Sequence, residues 1–194
     1  MKIETISKRQ HLINTAAELF KEKGYAASSM RDLASRLGLE VSSIYSHIKS
    51  KEDILGEICM SCATRFSDGM KDIYFSESSS KKKMRALISL HLDIAYEEPA
   101  SATVFNDEWK FLNETIKEEF LVLRREYEKK FKKILLDGKK EKKFEFKNVD
   151  VVFSIIIRLL SISYIIVNKH SREDIEAELE SFITKALNKK TSKL

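Results

Sequence analysis

The 194 residues predict an all-α protein, and three observations carry that expectation. Only one Pro and five Gly are present, with 34% charged and 43% hydrophobic residues, a composition that suits long helices better than a turn-rich β fold. Apolar residues recur at the three-and-four spacing of a buried helical stripe along most of the chain. Three of these runs open on a capping box, at Ser29–Asp32, Ser50–Asp53 and Ser171–Asp174. A chain of this length can bury a core in one or two domains.

The first helix is expected from about Ile6 to Lys23, with Ile6, Ile13, Ala17 and Phe20 on one face and Gly24 as its stop. Lys8 and Arg9 near its start are open to two readings, solvation or contact with a DNA backbone. Met30, Leu33, Ala34 and Leu37 form the stripe of a second, short helix. Gly38 suits the left-handed backbone that ends one helix and turns sharply into another. Ile44 and Ile48 resume the stripe, and between them Val41, Ser42, Ser43, Tyr45, Ser46 and His47 offer an exposed face of small, polar or flat side chains.

Two short helices joined at a glycine are common in themselves. Here the surrounding residues add detail. The run Leu33-Ala34, Leu37-Gly38-Leu39 and Ser43-Ile44-Tyr45-Ser46-His47-Ile48-Lys49-Ser50-Lys51 resembles the helix-turn-helix of the TetR family of bacterial transcriptional regulators, over roughly the first quarter of the chain. The resemblance implies phosphate-contacting groups at Ser43, Tyr45, His47 and Lys51, and groups facing base edges at Met30, Arg31, Val41 and Ser42. Ser28, Ser29 and Ser46 complete the expected DNA-contacting set. Glu40 and Ser42 depart from the commoner family pattern, which bears on the operator sequence rather than on DNA binding. The implied partner is a pseudo-palindromic double-stranded operator bound by a homodimer, because one short helix reads only a few base pairs of the major groove.

A fourth helix should begin at Lys51 and run past Met70, leaving the head (residues 1–50) for the body (51–194). Cys59 and Cys62 lie on it as C-x-x-C. With no further Cys pair or nearby His to complete four ligands, no metal is expected, and two small side chains packed in a helix is the preferred reading. A thiol-based redox regulator is kept as an alternative. Ser76–Lys83, S-E-S-S-S-K-K-K, reads as a polar loop. Met84 to Glu98 should be helical up to the break at Pro99, and Ala102–Leu112 should form a short aromatic helix. His91, Tyr96, Phe105, Asn106, Trp109, Phe120 and Tyr127 are the candidate lining of an apolar ligand pocket.

Phe120 to Leu135 marks a long amphipathic helix ending near Gly138. The segment 129–147 carries a net charge of +6 against +3 for residues 1–50, so the most basic run is not the expected DNA reader. Val149–Val167 is the most apolar stretch. Arg158 near its middle would cost about 2.5–3.5 kcal/mol in a bilayer, so a helix covered at a subunit interface is expected rather than a membrane span. With the stripe Ile175, Leu179, Phe182, Ile183 and Leu187 it would form a four-helix bundle across a twofold axis, with Phe153, Ile157, Leu160, Tyr164, Ile175, Leu179 and Phe182 at the dimer interface.

By resemblance, the body of such a chain binds a small molecule and is released from its operator by it. The segment Asn106–Leu112, with Tyr127-Glu128 and Asp137-Gly138, is loosely similar to a branch that senses fatty acyl or steroid-derived coenzyme A thioesters. The expected function is therefore a transcriptional regulator, a repressor released by a small apolar effector such as a fatty acid or acyl coenzyme A. A helical dimeric binding protein without a DNA role is the other alternative. No nucleophile elbow, Walker loop or dinucleotide fingerprint suggests an enzyme, and no cofactor is called for. The polar opening stretch lacks a secretory h-region and the cysteines are too few for a disulfide framework, so a cytoplasmic protein is expected.

Overall fold

The computed structural model describes residues 7–188, and among them all regular structure is helical. Packing gathers the chain into two compact units. One holds the residues up to Ala63 together with Ala100–Leu121, and the other holds Thr64–Pro99 together with the chain from Val122. The chain passes between them within α4 (Lys51–Phe75), at Pro99, and within α7 (Glu114–Lys140).

In the first unit, α1 (Lys8–Lys23) starts where the Ser7 hydroxyl accepts a hydrogen bond from the Gln10 amide at 3.1 Å. Ile6 lies outside the described residues. Gly24, at φ 81°, stops the helix as the sequence predicts. The capping box of α2 (Met30–Leu37) forms in both directions between Ser29 and Asp32, and Gly38 closes the helix at φ 64°. Leu39 then donates to the Ala34 carbonyl at 3.0 Å, which satisfies one of the last carbonyls of α2.

The next helix is shorter than its apolar stripe suggests. α3 covers only Val41–Tyr45. Beyond it the Ser46 hydroxyl donates to the Ser43 carbonyl at 2.7 Å and the His47 amide bonds back only three residues, to Ile44. Serines at these positions offer the backbone an alternative to the α-helical ladder. Ile44 and Ile48 are nevertheless buried, joining Leu12, Phe20, Leu33 and Leu55 in the core of the head.

The expected boundary at residue 50 separates motif from body along the chain, whereas packing adds α6 (Pro99–Asp107), a 3-10 turn (Trp109–Phe111) and the start of α7 to the head's unit. Phe105 and Trp109 both lie against Phe120, at ring separations of 5.5 and 5.6 Å, and Phe111 lies 5.5 Å from Tyr25.

The second unit is a helical bundle around Phe66, Met70, Leu87, Ile88, Phe131, Leu135, Leu160 and Ile183. Two sequence expectations are refined here, and a third, the end of α7 near Gly138, holds. α5 (Ser80–Glu97) begins inside the predicted polar loop, so Lys81–Lys83 are already helical. α7 runs through Gly138 and ends two residues later. The turn is made by Lys142, at φ 58°, with the Lys143 and Phe144 amides both bonded to the Gly138 carbonyl. Gly138 is needed for another reason: a Cβ there would lie 2.0 Å from the Phe144 ring. The long apolar run is divided in its hydrogen bonding, although the Ile162 backbone at the division stays helical at φ −60° and ψ −32°. It divides at Ile162 into α8 (Val149–Ser161) and α9 (Ser163–Ile166), followed by α10 (Arg172–Leu187), which Ser171 caps by accepting from the Asp174 amide.

Candidate nucleic-acid interface

The head presents its polar face through α3 and the first half of α1. Side chains of Lys8 and His11 from α1 line an open groove of about 660 Å³ with Ser42, Ser43, Ser46 and His47, over a floor of Leu12, Leu37 and Leu39. Tyr45, half exposed, and the exposed Arg31 stand on the surface of the same unit. The arrangement suits a polyanion: cationic and hydroxyl donors surround a concave strip, and a helix with small side chains at its start can approach base edges. Met30 and Val41 are only partly exposed.

Rigid bracing keeps this face in place. Lys23 pairs with Asp32 at 2.7 Å, Arg36 with Glu22, and Arg9 with Glu57. The Lys23 ammonium, together with the Ser29 hydroxyl and amide, holds the Asp32 carboxyl well below the usual carboxylate range. Arg9 is thereby committed to α4, which leaves Lys8 as the cation that α1 contributes to the groove.

Three of the residues expected at DNA also hold the head together. Ser28 is buried and its hydroxyl donates to the Gly24 carbonyl at 2.7 Å. Ser29 is the cap of α2. Lys51 turns inward: its ammonium donates to the carbonyls of Tyr25 and Ser28 at 2.8 and 2.6 Å and sits 4.2 Å from the centre of the Tyr25 ring. These bonds tie the start of α4 to the α1–α2 turn. Burial, with Glu52 adding to it, pushes the Tyr25 phenol up to about 12, so the ring stays neutral under that ammonium. His11 and Leu39 were not among the expected residues. Their sequence context is ordinary, and only the approach of α1 to α3 brings them to the groove.

The expected ligand-lining residues fall into separate groups. Phe105, Trp109 and Phe120 stack together in the head's unit, and Asn106 bonds to its neighbour Asp107. Tyr96 donates to the His170 carbonyl at 2.8 Å. His91 and Tyr127 meet in the second unit, where Tyr127 Oη lies 2.8 Å from His91 Nε2 and Tyr164 Oη lies 2.7 Å from Nδ1. Tyr164 therefore faces its own protomer's core rather than a partner. Leu160, Ile175 and Leu179 of the expected dimer interface are likewise buried within the protomer, whereas Phe153 and Ile157 are partly exposed and Phe182 is 60% exposed. The outward apolar side chains of this region are Phe182, as expected, together with Val151, Ile155, Ile162 and Ile165.

Cys59 and Cys62 are fully buried, and burial, with Cys62 and Glu108 adding to it, raises the Cys59 thiol far above its ordinary value. A thiol so disfavoured as thiolate is a poor redox sensor. Among the described residues no group of three or more His, Cys, Asp or Glu could hold a metal.

Two family profiles match the chain: bacterial regulatory proteins of the tetR family over residues 12–58, and the tetracyclin repressor-like C-terminal domain over residues 77–165. The transcriptional repressor KstR2 of Mycolicibacterium smegmatis is 27% identical over 152 residues, which span 77% of this chain and 74% of that protein. Further relatives of the same name are matched over about half of their own length. Among solved structures, the ketosteroid transcriptional regulator KstR2 of Mycobacterium tuberculosis superposes with a TM-score of 0.85 at 20% identity, covering 96% of this chain and 98% of that one. AibR, solved with isovaleryl coenzyme A and operator DNA, superposes with a TM-score of 0.78 at 14% identity, covering 92% and 98%.

Proposed function

Because this chain belongs to the tetR family of bacterial regulatory proteins, and is a transcriptional regulator rather than an enzyme, we propose that it acts as a repressor that a small, largely apolar effector releases from its operator. The observation that carries the DNA role is the groove in which Ser42, Ser43, Ser46 and His47 of the reading helix region meet Lys8 and His11 of α1. In this reading Lys8, Ser43, Tyr45, Ser46 and His47 hold the phosphate backbone and set register. Val41, Ser42, Met30 and Arg31 approach base edges, where the major groove distinguishes all four base pairs.

Two heads are needed, and the second unit offers a surface that can join them. Only 22% of the apolar window Val149–Ile166 is buried within the protomer. That stretch is long and apolar enough to cross a membrane, but it carries Arg158 near its middle. A second copy of the chain is the occupant that fits. Val151, Ile155, Ile162, Ile165 and Phe182 form the uncovered side, and pairing them across a twofold axis gives a four-helix seam. The protein then works in the cytoplasm as a homodimer on a pseudo-palindrome whose half-sites lie about one helical turn apart, or a multiple of it.

An effector of the fatty acid or acyl coenzyme A class agrees with the apolar, aromatic interior and with the isovaleryl coenzyme A held by AibR. Release follows if the effector binds one conformation of the dimer better than the other, so that DNA and effector oppose each other thermodynamically. The test is selection of genomic fragments by the purified full chain, with sedimentation to measure its mass. A pseudo-palindrome recovered by a dimer is the expected result. Uniform retention of all fragments, or a monomer at working concentration, would overturn the proposal.

A further inference from the structure

At the heart of the second unit, polar side chains from three helices converge where an apolar core would suffice. His91 on α5 and Tyr164 on α9 are 3% and 4% exposed, and half-buried Tyr127 on α7 completes the group. The imidazole bonds both phenols, at 2.7 Å through Nδ1 and 2.8 Å through Nε2. Phe66 on α4 closes the group from a fourth helix, with ring centres 4.7 Å from His91 and 5.9 Å from Tyr127.

Burial alone pushes the His91 imidazole down to about 3, with no charged neighbour contributing, so the ring is neutral under ordinary conditions. A neutral imidazole has one N–H and one lone-pair nitrogen. One phenol therefore donates to it and the other accepts from it, and each ring nitrogen can serve one uncharged partner. An ion brought here would lie in a low-dielectric interior with no counter-charge, which costs several kcal/mol.

The two phenols are not held alike. Tyr127 sits in the middle of a 27-residue helix. Tyr164 sits on the four-residue α9, which follows α8 after the single residue Ile162, still helical at φ −60° and ψ −32°, and is succeeded by turns up to Ser171. The last turn of a helical run, with no helix continuing beyond it, is cheaper to displace than the middle of a long helix. The outward side chains of the same segment, Ile162 and Ile165, are 45% and 71% exposed and belong to the face assigned above to the second subunit.

We propose that this His91–Tyr127–Tyr164 group receives the polar end of the effector, that this end is uncharged (a ketone, alcohol, ester or thioester carbonyl), and that it binds by taking the place of Tyr164 on His91 Nδ1, displacing α9 and with it Ile162 and Ile165 at the dimer seam. The inference rests on the reading of the chain as an effector-released repressor. It narrows the effector to molecules whose buried end carries no charge, and so sets thioesters and ketones apart from free fatty acids. It also supplies the link from interior to seam, because one short segment holds Tyr164 inward and two isoleucines outward.

The test is calorimetric titration of the full chain, without DNA, using 2-decanone, sodium decanoate and decyltrimethylammonium at neutral pH. The expected result is binding of 2-decanone at least tenfold tighter than of either ion. Tyr164→Phe should tighten 2-decanone by roughly tenfold, because the competing hydrogen bond to His91 is gone, and His91→Leu should weaken it by at least tenfold. Opposite signs are the signature, since a merely structural role would make both variants weaker. Should His91→Leu not fold, the wild-type selectivity and the Tyr164→Phe result decide. Decanoate binding as tightly as the ketone, no binding of the ketone, or weaker ketone binding in Tyr164→Phe would overturn the proposal. Fragment selection on the same preparation separates the two ideas: selective DNA binding with no ketone preference removes the effector subsite alone, and loss of selective DNA binding removes the repressor reading.

Discussion

Replacing Lys51 by Met keeps the aliphatic stem and removes the ammonium, and so separates an internal clamp from a phosphate contact. The ammonium donates two hydrogen bonds, at 2.8 and 2.6 Å, to the carbonyls of Tyr25 and Ser28. Hydrogen bonds to charged groups contribute about 1.5–3 kcal/mol each. The side chain is only partly buried and water can reach the released carbonyls, so the lower end applies to the pair taken together. The ring contact with Tyr25 adds about 0.5–1 kcal/mol. A net loss of about 2–2.5 kcal/mol follows, which for a chain of this size lowers the melting temperature by roughly 4–10 °C. Circular dichroism melts measure it. In parallel, operator affinity over a salt series should keep its log–log slope, because a residue that touches no phosphate releases no counterion. A slope reduced by about one with an unchanged melting temperature would refute the clamp and restore the phosphate contact.

Ile165→Glu places a charge on a side chain that is 71% exposed in the protomer, so sedimentation should show monomers while the melting of each protomer changes little. Gly138→Ala should destabilise by about 1–3 kcal/mol in urea titration, since the new methyl would lie 2.0 Å from the Phe144 ring and the core must shift. His91 sets a pH dependence: the unfolded imidazole protonates near 6.5 and the folded one only near 3, so the unfolded state binds the extra proton between those values. Stability is therefore fully present above about 6.5 and falls with pH below it, by about 2 kcal/mol from pH 7 to pH 5 for this group alone. A urea series at the two pH values reads it, and an unchanged midpoint would show that the ring is protonated in the folded chain.

Much of the fold was legible because its signals are local. The capping box at Ser29–Asp32 and the left-handed Gly38 bound α2 without help from distant residues, and Ser171 starts α10 in the same way. Where the reading missed, a nonlocal contact or a competing local bond decided. α7 ends near Gly138 as the spacing predicts, but the service its missing Cβ does the Phe144 ring six residues on is not legible in that spacing. α3 ends early because Ser46 bonds back to Ser43, a choice that apolar spacing does not record. The aromatic residues 105, 109 and 120 and the pair His91 and Tyr127 share one composition signature, yet they pack in different units.

What the sequence by itself determined is the helical period, the positions of starts and stops, and a head of helix-turn-helix type, since each depends on residues within a turn or two of one another. Only the tertiary structure decided which polar groups are free to act. The Lys51 ammonium and the Ser28 hydroxyl donate to backbone carbonyls, and the Tyr164 phenol meets His91, partners that no helical period records. A side chain's periodicity is a property of its own helix, whereas its hydrogen-bond partner is supplied by whatever the fold brings within about 3 Å of it.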